Sequence, residues 1–436
     1  MGGFRMPKGL KWIILAPLLL LFLSASCQKE VLHELSPRHV LLIYQAGYNS
    51  LTNYLKENVA TLQEGAIPAK TNGVNDVLLV YARFPVAKGN YSVQTPSHLY
   101  RLYKDRDGNL CRDTLRTWDE TTDASTAETL REVLNFTKEK FPATGSFGLV
   151  FSSHATGWLP ADYYNDPAQY EKDHREEVIA PASVAPRLRR MAPWEEVFPE
   201  LSDDPPVKSI GQDKHPGASV EIELKDFAEA IPFKLDYLLL DVCLTGGVEA
   251  AWQLRGKADI VGFSQTEVLA QGLDYSTMTK HLLQEVPDPL AVCRDYFTYY
   301  NSQSGVNKSA TISVVDTREM EPLAEVCRTL FAKYRDQIAS LDRDQVQGFF
   351  RFDRHYFYDL EDILVQAGIT EEEHQLLKDA LGKCVLYKAA TAIFISISIR
   401  TSCGFSMYLP SMGTPLLDQH YRSQIAWNEA TFLVEE

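Results

Sequence analysis

The sequence is poor in cysteine, and no cysteine pair has the spacing of a metal or redox site. Seven cysteines are scattered over 436 residues without a CxxC motif, which argues against a disulfide scaffold, structural zinc and a thioredoxin-like dithiol. Basic residues are fewer than acidic ones, 43 against 58, and the formal charge of −15 includes no long run of one sign. This field repels phosphate backbones, so nucleic acid is a poor partner. No metal or other cofactor is expected.

The first residues contain a targeting signal. A basic start is followed by an apolar run over residues 12–23, about half the length of a membrane span. This pattern predicts a signal peptide over residues 1–26 rather than a transmembrane anchor. The Leu-Ser-Ala-Ser-Cys ending resembles a bacterial lipobox, in which Cys27 receives lipid and becomes the mature N-terminus; the alternative is an ordinary signal cleaved near Ala25. We expect a protein of the bacterial cell envelope, periplasmic or surface-exposed, that acyl chains on Cys27 hold to a membrane.

Strands and helices alternate along most of the remaining chain. The continuous apolar run at residues 40–44 is typical of a strand covered on both faces in a buried parallel sheet. Further strands are predicted over 76–81, 147–151, 237–242, 259–263 and 311–315, with helices between them. Because 45% of the residues are hydrophobic, the chain can fill a large core. The pattern predicts an α/β fold with a mostly parallel sheet flanked by helices.

Two regions depart from this alternation. Residues 159–208 are polar and rich in proline, which predicts an exposed insertion rather than a sheet element. From residue 316 onward, charged helices and the apolar runs at 392–397 and 404–410 predict a smaller C-terminal α+β subdomain that ends in strands. The mature chain would therefore comprise a linker over 27–37, a main domain over 38–315 that contains the insertion, and a subdomain over 316–436.

A histidine and a cysteine follow two of the predicted strands. His154 comes just after the strand at 147–151, and Cys243 comes just after the strand at 237–242 and ahead of a helix. Reactive groups in open parallel sheets gather beyond the carboxyl ends of strands, so these side chains can meet if their strands are neighbours. A protonated histidine and the positive end of the helix would both favour the thiolate of Cys243, the attacking form. Considered alone, Cys243 would more often be a buried structural thiol, and His154 would more often be an ordinary polar residue, than members of a reactive pair.

The residues around this pair resemble the clostripain family of cysteine peptidases. Ser-His-x-x-Gly-Trp at 153–158 is followed by Ile-Gly-Gln-Asp at 210–213 and Leu-Leu-Asp-Val-Cys-Leu at 239–244, with Glu249 shortly after. Segments at 262–267, 272–275, 313–316 and 404–410 resemble later family signatures in the same order. This resemblance spans about residues 38–412 and is more specific than any single motif. It implies a caspase-like α/β fold with 38–315 as the catalytic domain, a His/Cys dyad, and protein or peptide substrates cleaved after Arg or Lys.

Carried over by position, the resemblance makes His154 the general acid/base and Cys243 the nucleophile that forms an acyl-enzyme. The oxyanion would be held by backbone N–H groups, those of Ala155 and Cys243. Ala155 stands where many family members have glycine. Its N–H remains available, but a positive φ at this position would strain an alanine.

Asp241 is the expected substrate-binding residue. Side chains in a strand alternate between the two faces, so positions 241 and 243 point to the same side. A carboxylate among apolar neighbours is costly unless it is paired, and the Arg or Lys side chain of a substrate would be that partner. The alternative is a structural carboxylate that accepts hydrogen bonds from loop N–H groups.

The insertion contains candidate positions for self-processing, which the resemblance also implies. It begins directly after the His154 loop, and its prolines and polarity suit an exposed substrate segment. We therefore expect cleavage after a basic residue that Asp241 would accept: Arg187, Arg189, Arg190 or Lys208. The alternative is a solvated loop without a regulatory role.

Two readings from other functional classes stay open. A catalytically inactive, lipid-anchored binding protein would keep the same signal and scaffold, and a peptide-cleavage assay would separate it from a peptidase. A membrane-anchored structural or adhesive protein would lack a reactive thiol, so all its cysteines would be alkylated slowly at neutral pH.

Overall fold

A nine-stranded sheet forms the centre of the molecule. The computed structural model describes residue 2 and residues 34–87, 90–174, 205–208, 222–351 and 354–435. The strands in chain order are β1 (His39–Ala46), β2 (Val77–Arg83), β3 (His98–Lys104), β4 (Leu110–Thr117), β5 (Ser146–Ser152), β6 (Leu235–Asp241), β7 (Ala258–Phe263), β8 (Thr311–Asp316), β9 (Tyr358–Asp359), β10 (Val385–Ala390), β11 (Ile393–Phe394), β12 (Ile397–Ser398) and β13 (Ser406–Met407). The main sheet has the order β10-β8-β7-β6-β5-β1-β2-β3-β4.

The middle of this sheet is parallel and its edges are antiparallel. Strands β2, β1, β5, β6 and β7 pair in parallel, whereas β3 and β4 at one edge and β8 and β10 at the other pair antiparallel. Every residue of β1, β2 and β5 is buried, because helices cover both faces of a parallel sheet. The predicted α/β fold is confirmed.

Helices connect and cover the strands, and none of those described is long and apolar enough to cross a membrane. They are α1 (Thr52–Glu64), α2 (Ala127–Lys140), α3 (Pro167–Asp173), α4 (Leu224–Ala230), α5 (Val248–Leu254), α6 (Tyr275–Leu282), α7 (Pro289–Asn301), α8 (Met320–Lys333), α9 (Arg335–Ser340), α10 (Leu360–Gln366), α11 (Glu371–Cys384), α12 (Pro415–Gln424) and α13 (Ala426–Thr431), with short 3₁₀ turns at Gly305–Asn307, Thr317–Glu319 and Pro410–Met412.

Helix α2 illustrates how local sequence determines these elements. The Thr126 side chain accepts a hydrogen bond from the Thr129 N–H and caps the first turn, as threonine commonly does at this position. Leu130, Val133 and Leu134 recur at helical spacing and are buried, so one face of the helix packs on the sheet.

The C-terminal region forms two small sheets and also completes the main one. Strand pairs β11-β12 and β13-β9 make the small sheets, while β10 joins β8 in the main sheet. The run at 392–397 is divided into β11 and β12 because the chain reverses at Ile395, whose φ is +51°. One continuous apolar cluster extends from Val40 to Val434. The division of the chain at residue 315 stays a prediction.

Neither described end of the segment 159–208 adds a strand to the main sheet, as expected, but the expected exposure is wrong for several residues at both ends. Leu159, Tyr163 and Tyr164 are buried, and the Tyr164 carbonyl accepts a hydrogen bond from Arg354 at 3.0 Å. Their large apolar surfaces favour packing on the core over exposure to water. At the other end Lys208 is also buried, with a side-chain exposure of 0%.

Candidate active site

Strands β5 and β6 are neighbours, so their loops emerge at the same edge of the sheet. They pair in parallel, with Ser152 opposite Asp241, and His154 and Cys243 therefore follow at the same end. Strand β2 lies on one side of β1 and β5 lies on the other, which places the point where the strand order reverses beside these loops. Ligand sites form at such points because the connecting loops diverge there.

A glycine allows the His154 loop and the Cys243 loop to approach each other closely. Gly157 has a φ of +66°, and a Cβ at this position would lie 2.3 Å from the carbonyl oxygen of Leu244. Any larger residue would therefore separate the two loops. Gly157 is thus a structural requirement of the site.

The residue after the cysteine has a strained backbone, whereas the residue after the histidine does not. Leu244 has a φ of +58°, and its N–H is held by the Thr266 carbonyl at 3.0 Å. Such strain persists only when the surrounding structure enforces it, and it is concentrated at functional sites. Among the described non-glycine residues, positive φ also occurs at Asp162, Ile395 and Phe432 but not at Ala155. The possible strain at Ala155 is therefore absent.

His154 is buried, with 6% of its surface exposed, and both ring nitrogens are close to oxygen atoms. Nδ1 lies 2.9 Å from the carbonyl oxygen of Lys208, and Nε2 lies 3.3 Å from the hydroxyl of Ser50 in the loop after β1. A carbonyl oxygen can only accept a hydrogen bond, so Nδ1 carries a proton in this arrangement. The imidazole is thereby oriented with its Nδ1–H towards the Lys208 carbonyl.

Cys243 is fully buried, and the backbone of Val268 holds its sulfur. The Val268 N–H donates to Sγ across 3.0 Å, and Sγ lies 3.7 Å from the Val268 carbonyl oxygen. Burial and, secondarily, Glu267 raise the pKa of the Cys243 thiol well above its usual value, while the Val268 N–H, Lys208 and Arg351 oppose the change. Burial thus favours the thiol form of this sulfur, and the Val268 N–H and the two basic side chains are the groups that favour a thiolate.

Asp241 lies in a buried pocket where several donors surround its carboxylate. Oδ2 accepts hydrogen bonds from the hydroxyls of Ser152 at 2.5 Å and Tyr275 at 2.8 Å, and Oδ1 accepts one from the Leu273 N–H at 3.2 Å. The Lys208 ammonium also donates to Oδ2, and neither charged side chain is exposed to solvent. The carboxylate thus has both kinds of partner considered from the sequence, a basic side chain and a loop N–H.

The Lys208 ammonium fills the pocket beside Asp241. Nζ lies 3.2 Å from the Asp241 carbonyl oxygen and 3.4 Å from the Ser152 hydroxyl. Burial lowers the pKa of Lys208, and the Asp241 carboxylate opposes this change. Gly272, with a φ of +71°, closes the pocket, since a Cβ there would lie 2.4 Å from Nζ. The pocket is therefore closely matched in size to one ammonium group.

Residues 206–208 bind in the site as an extended segment. The Lys208 N–H donates to the Val268 carbonyl at 2.8 Å, and the Ala270 N–H donates to the Pro206 carbonyl at 2.8 Å. Extended peptides add to the edge of a strand through main-chain hydrogen bonds of this kind. The end of the insertion, expected to be exposed, instead binds the backbone of Val268, the same residue whose N–H holds the Cys243 sulfur.

The structure brings four of the predicted site residues together. Beyond the ends of β5 and β6, Lys208 contacts both His154 and Asp241, Cys243 lies close enough for the Lys208 charge to lower its pKa, and Ala155 follows directly in the histidine loop. The other candidates lie outside the described residues: Cys27, Arg187, Arg189 and Arg190. Within the described ranges, no group of His, Cys, Asp and Glu side chains could hold a metal ion.

Sequence reasoning missed the residues that shape the Asp241 pocket. Ser152 becomes significant only once β5 is known to pair with β6, and Gly272 and Tyr275 belong to a segment whose family signature indicated no role. The sequence carried no signal for Ser152, because its place opposite Asp241 follows from the register of the two strands.

Comparison with known proteins identifies the family. A family model described as the clostripain family matches residues 43–172 and 199–427. An inactive zymogen of a C11 protease from Parabacteroides distasonis shares 25% sequence identity, with a TM-score of 0.69 over 91% of this chain and 99% of that chain. A secreted C11 cysteine protease from Bacteroides thetaiotaomicron, solved with an irreversible peptide inhibitor, has the same fold, with 22% identity and a TM-score of 0.67 over 91% of this chain and 99% of that chain. No curated protein matches. The chain therefore belongs to the clostripain family and is a cysteine-type endopeptidase.

Proposed function

We propose that this endopeptidase cleaves after lysine, less efficiently after arginine, and that it first cleaves its own chain after Lys208. The position of Lys208 carries this proposal. Its side chain pairs with Asp241, its carbonyl oxygen lies 2.9 Å from Nδ1 of His154, and its N–H binds the Val268 carbonyl. A substrate bound in the same way would present its basic side chain to Asp241 and its carbonyl group to the dyad.

In the proposed mechanism, His154 and Cys243 have separate roles. The Cys243 thiolate attacks the carbonyl carbon of the basic residue, and the N–H groups of Ala155 and Cys243 stabilise the resulting oxyanion. His154 gives a proton to the leaving amine as the C–N bond breaks, which leaves a thioester on Cys243. His154 then removes a proton from water, which hydrolyses the thioester and releases the new carboxylate. In self-processing, the bond that breaks joins Lys208 to Ser209.

The pocket contacts favour an ammonium over a guanidinium. Three acceptors surround Nζ of Lys208: Oδ2 and the carbonyl oxygen of Asp241, and the Ser152 hydroxyl. They match the three donors of an ammonium group. A guanidinium is larger than an ammonium and planar, and the backbone at Gly272 already approaches Nζ so closely that a Cβ there would lie 2.4 Å from it. Matched peptides ending in Pro-Val-Lys and Pro-Val-Arg before the cut should therefore differ severalfold in kcat/KM, with lysine higher; an arginine preference would contradict this assignment.

Self-processing is tested by a denaturing gel and N-terminal sequencing. We expect the wild type to separate into two fragments with a new N-terminus at Ser209, and Cys243→Ala to remain whole. Lys208→Ala should lose this cut, whereas the matched control Arg189→Ala should retain it. An intact and fully active wild type, or a Lys208→Ala variant cut at the wild-type rate, would contradict processing at this position.

The alternative of an inactive binding protein gains no support from the site. Both residues of the proposed dyad are present, and the main-chain hydrogen bonds of residues 206–208 are of the kind that an extended peptide makes at a strand edge. His154→Ala and Cys243→Ala should abolish or nearly abolish hydrolysis of the lysine peptide. Full hydrolysis by Cys243→Ala would show that the nucleophile is elsewhere.

We also propose that Cys27 carries lipid and anchors the protein to a membrane of the bacterial cell envelope. The lipobox-like sequence that ends at this cysteine supports the proposal. Cys27→Ser should abolish incorporation of a labelled fatty acid and release the protein from the membrane fraction. Unchanged labelling of this variant would refute lipidation at Cys27.

A further inference from the structure

A buried ion pair lies beside the sulfur of Cys243. Arg351 Nε donates to Oε2 of Glu267, and the two side chains are 7% and 3% exposed. Glu267 directly precedes Val268, whose N–H binds Cys243 Sγ at 3.0 Å. The carboxylate therefore belongs to the segment that holds the nucleophilic sulfur, although the proposed mechanism uses neither charge.

A carboxylate at this position opposes formation of the nucleophile. A neighbouring negative charge disfavours a thiolate, and Glu267 is the largest influence after burial that raises the pKa of the Cys243 thiol, whereas Arg351 lowers it. Two buried tyrosines, Tyr164 and Tyr296, also interact with the thiol. Burial raises the pKa of both phenols well above the usual value, so they are neutral near physiological pH.

The positively charged side chains near the sulfur differ in whether they stay in place after self-processing. Lys208 favours the thiolate at present, but under the proposed function it leaves the pocket after processing. Arg351 belongs to the loop before β9 and remains in place. Once Lys208 has left, Arg351 is therefore the permanently charged group that opposes Glu267, because an arginine does not lose its proton in the physiological range.

We propose that Arg351 is a positioning residue of this peptidase, whose guanidinium neutralises Glu267 and so allows Cys243 to become a thiolate in the processed enzyme. It acts by opposing the charge of Glu267, in addition to its own favourable charge near the thiol, and it is assigned no contact with the substrate. This inference rests on the proposed function for the role of Cys243 and the departure of Lys208. The effect of Arg351 on Cys243 is inferred from the buried Glu267–Arg351 pair and from the hydrogen bond of the adjacent Val268 with the sulfur.

The test compares Arg351→Met, Glu267→Gln and the double variant with the wild type. The rate of Cys243 alkylation by iodoacetamide is followed by mass spectrometry across a pH series, together with the pH profile of kcat/KM for the lysine peptide. Arg351→Met should raise the alkylation midpoint by about one unit, which slows the reaction about tenfold below that midpoint. Glu267→Gln should lower the midpoint, and the double variant should return towards the wild-type value.

Arg354→Met is the matched control. This arginine is also 7% exposed and donates to the carbonyl oxygens of Tyr164 and Asn165 at 3.0 and 3.3 Å. Its replacement should leave the alkylation midpoint at the wild-type value even if it lowers the thermal stability, which is measured for every variant. The control therefore separates the loss of a buried arginine from the loss of the charge that neutralises Glu267.

A folded Arg351→Met variant with the wild-type midpoint would overturn the proposal. A raised midpoint that Glu267→Gln does not reverse would also overturn it, because the effect would then not pass through the carboxylate. A merely structural role would slow alkylation at every pH without moving the midpoint. If the wild type cleaved no peptide, the proposed function would fail, but the alkylation midpoints would still report whether Arg351 controls the charge state of Cys243.

Discussion

Replacing Glu249 by glutamine is expected to stabilise the protein at neutral and alkaline pH but not in acid. Glu249 lies in the first turn of α5, just after the Cys243 loop, and is 1% exposed. Oε1 accepts hydrogen bonds from the Tyr408 N–H at 2.9 Å and the Tyr421 hydroxyl at 2.8 Å. For Oε2, the described part of the chain supplies no hydrogen bond. A carboxyl group in this environment is more stable neutral than charged.

The magnitude follows from the pKa of this group. Burial raises the pKa of Glu249 from 4.5 to about 7. Well below pH 4.5 the folded and unfolded chains both hold the proton, so the carboxyl group does not destabilise the fold. As the pH rises towards 7, the unfolded chain releases its proton before the folded chain does, and the free energy of unfolding falls. A shift of about 2.5 units corresponds to about 3 kcal/mol, lost in full above pH 7.

The assay is urea unfolding in the Cys243→Ala background, which prevents self-cleavage. Unfolding is measured with and without Glu249→Gln, at a pH of about 4 and a pH of about 8, on either side of the transition. Glutamine keeps an oxygen acceptor for Tyr408 and Tyr421 but cannot ionise. Its advantage over glutamate should therefore increase by about 3 kcal/mol from the acidic to the alkaline condition.

A control variant separates burial from simple loss of charge. Glu128 is exposed in the first turn of α2, so Glu128→Gln removes a carboxylate at a comparable place in a helix without affecting a buried group. Its effect on unfolding should change little between the two conditions. The reasoning about Glu249 is refuted if Glu249→Gln changes the free energy of unfolding by the same amount at both pH values.

Three further predictions concern the pocket and the fold. Gly272→Ala should abolish cleavage after lysine, because a Cβ would lie 2.4 Å from the bound ammonium and from Asp241 Oδ1; an unchanged kcat/KM for the lysine peptide would contradict this geometry. Asp241→Asn should reduce kcat/KM for the lysine peptide roughly tenfold to a hundredfold and reduce kcat/KM for a matched glutamine peptide less. Equal losses of kcat/KM for the two peptides would mean that Asp241 only supports its loop. Thr370→Ala removes one half of the capping box with Glu373 at the start of α11. It should lower the free energy of unfolding, measured in urea, by about 1 kcal/mol without changing peptidase activity. Unchanged stability would show that the cap contributes nothing.

The central strands and the positions of His154 and Cys243 were predictable because they depend on local pattern. Continuous apolar runs at β1, β5 and β6 match strands that are almost fully buried, since both faces of a parallel sheet are covered. His154 and Cys243 come directly after two such runs, so their position at the carboxyl edge required only the strand assignments. The expectation from strand alternation that Asp241 and Cys243 point to the same side stays a prediction, because β6 ends at Asp241 and Cys243 lies in the turn after it.

Contacts between distant parts of the chain determined how the site is assembled and which of its groups are buried. Whether the His154 and Cys243 loops emerge side by side depended on β5 pairing with β6, and the Glu267–Arg351 pair joins residues 84 positions apart. Lys208 looked like an exposed residue of a polar insertion, yet its side chain is buried against Asp241. The sequence by itself determined the strands, helices and residue types that can react, because hydrophobic period and capping act over a few residues. Only the tertiary structure determined which charges are paired and which groups cover the sulfur, because burial and Coulomb interactions depend on distance in space rather than along the chain.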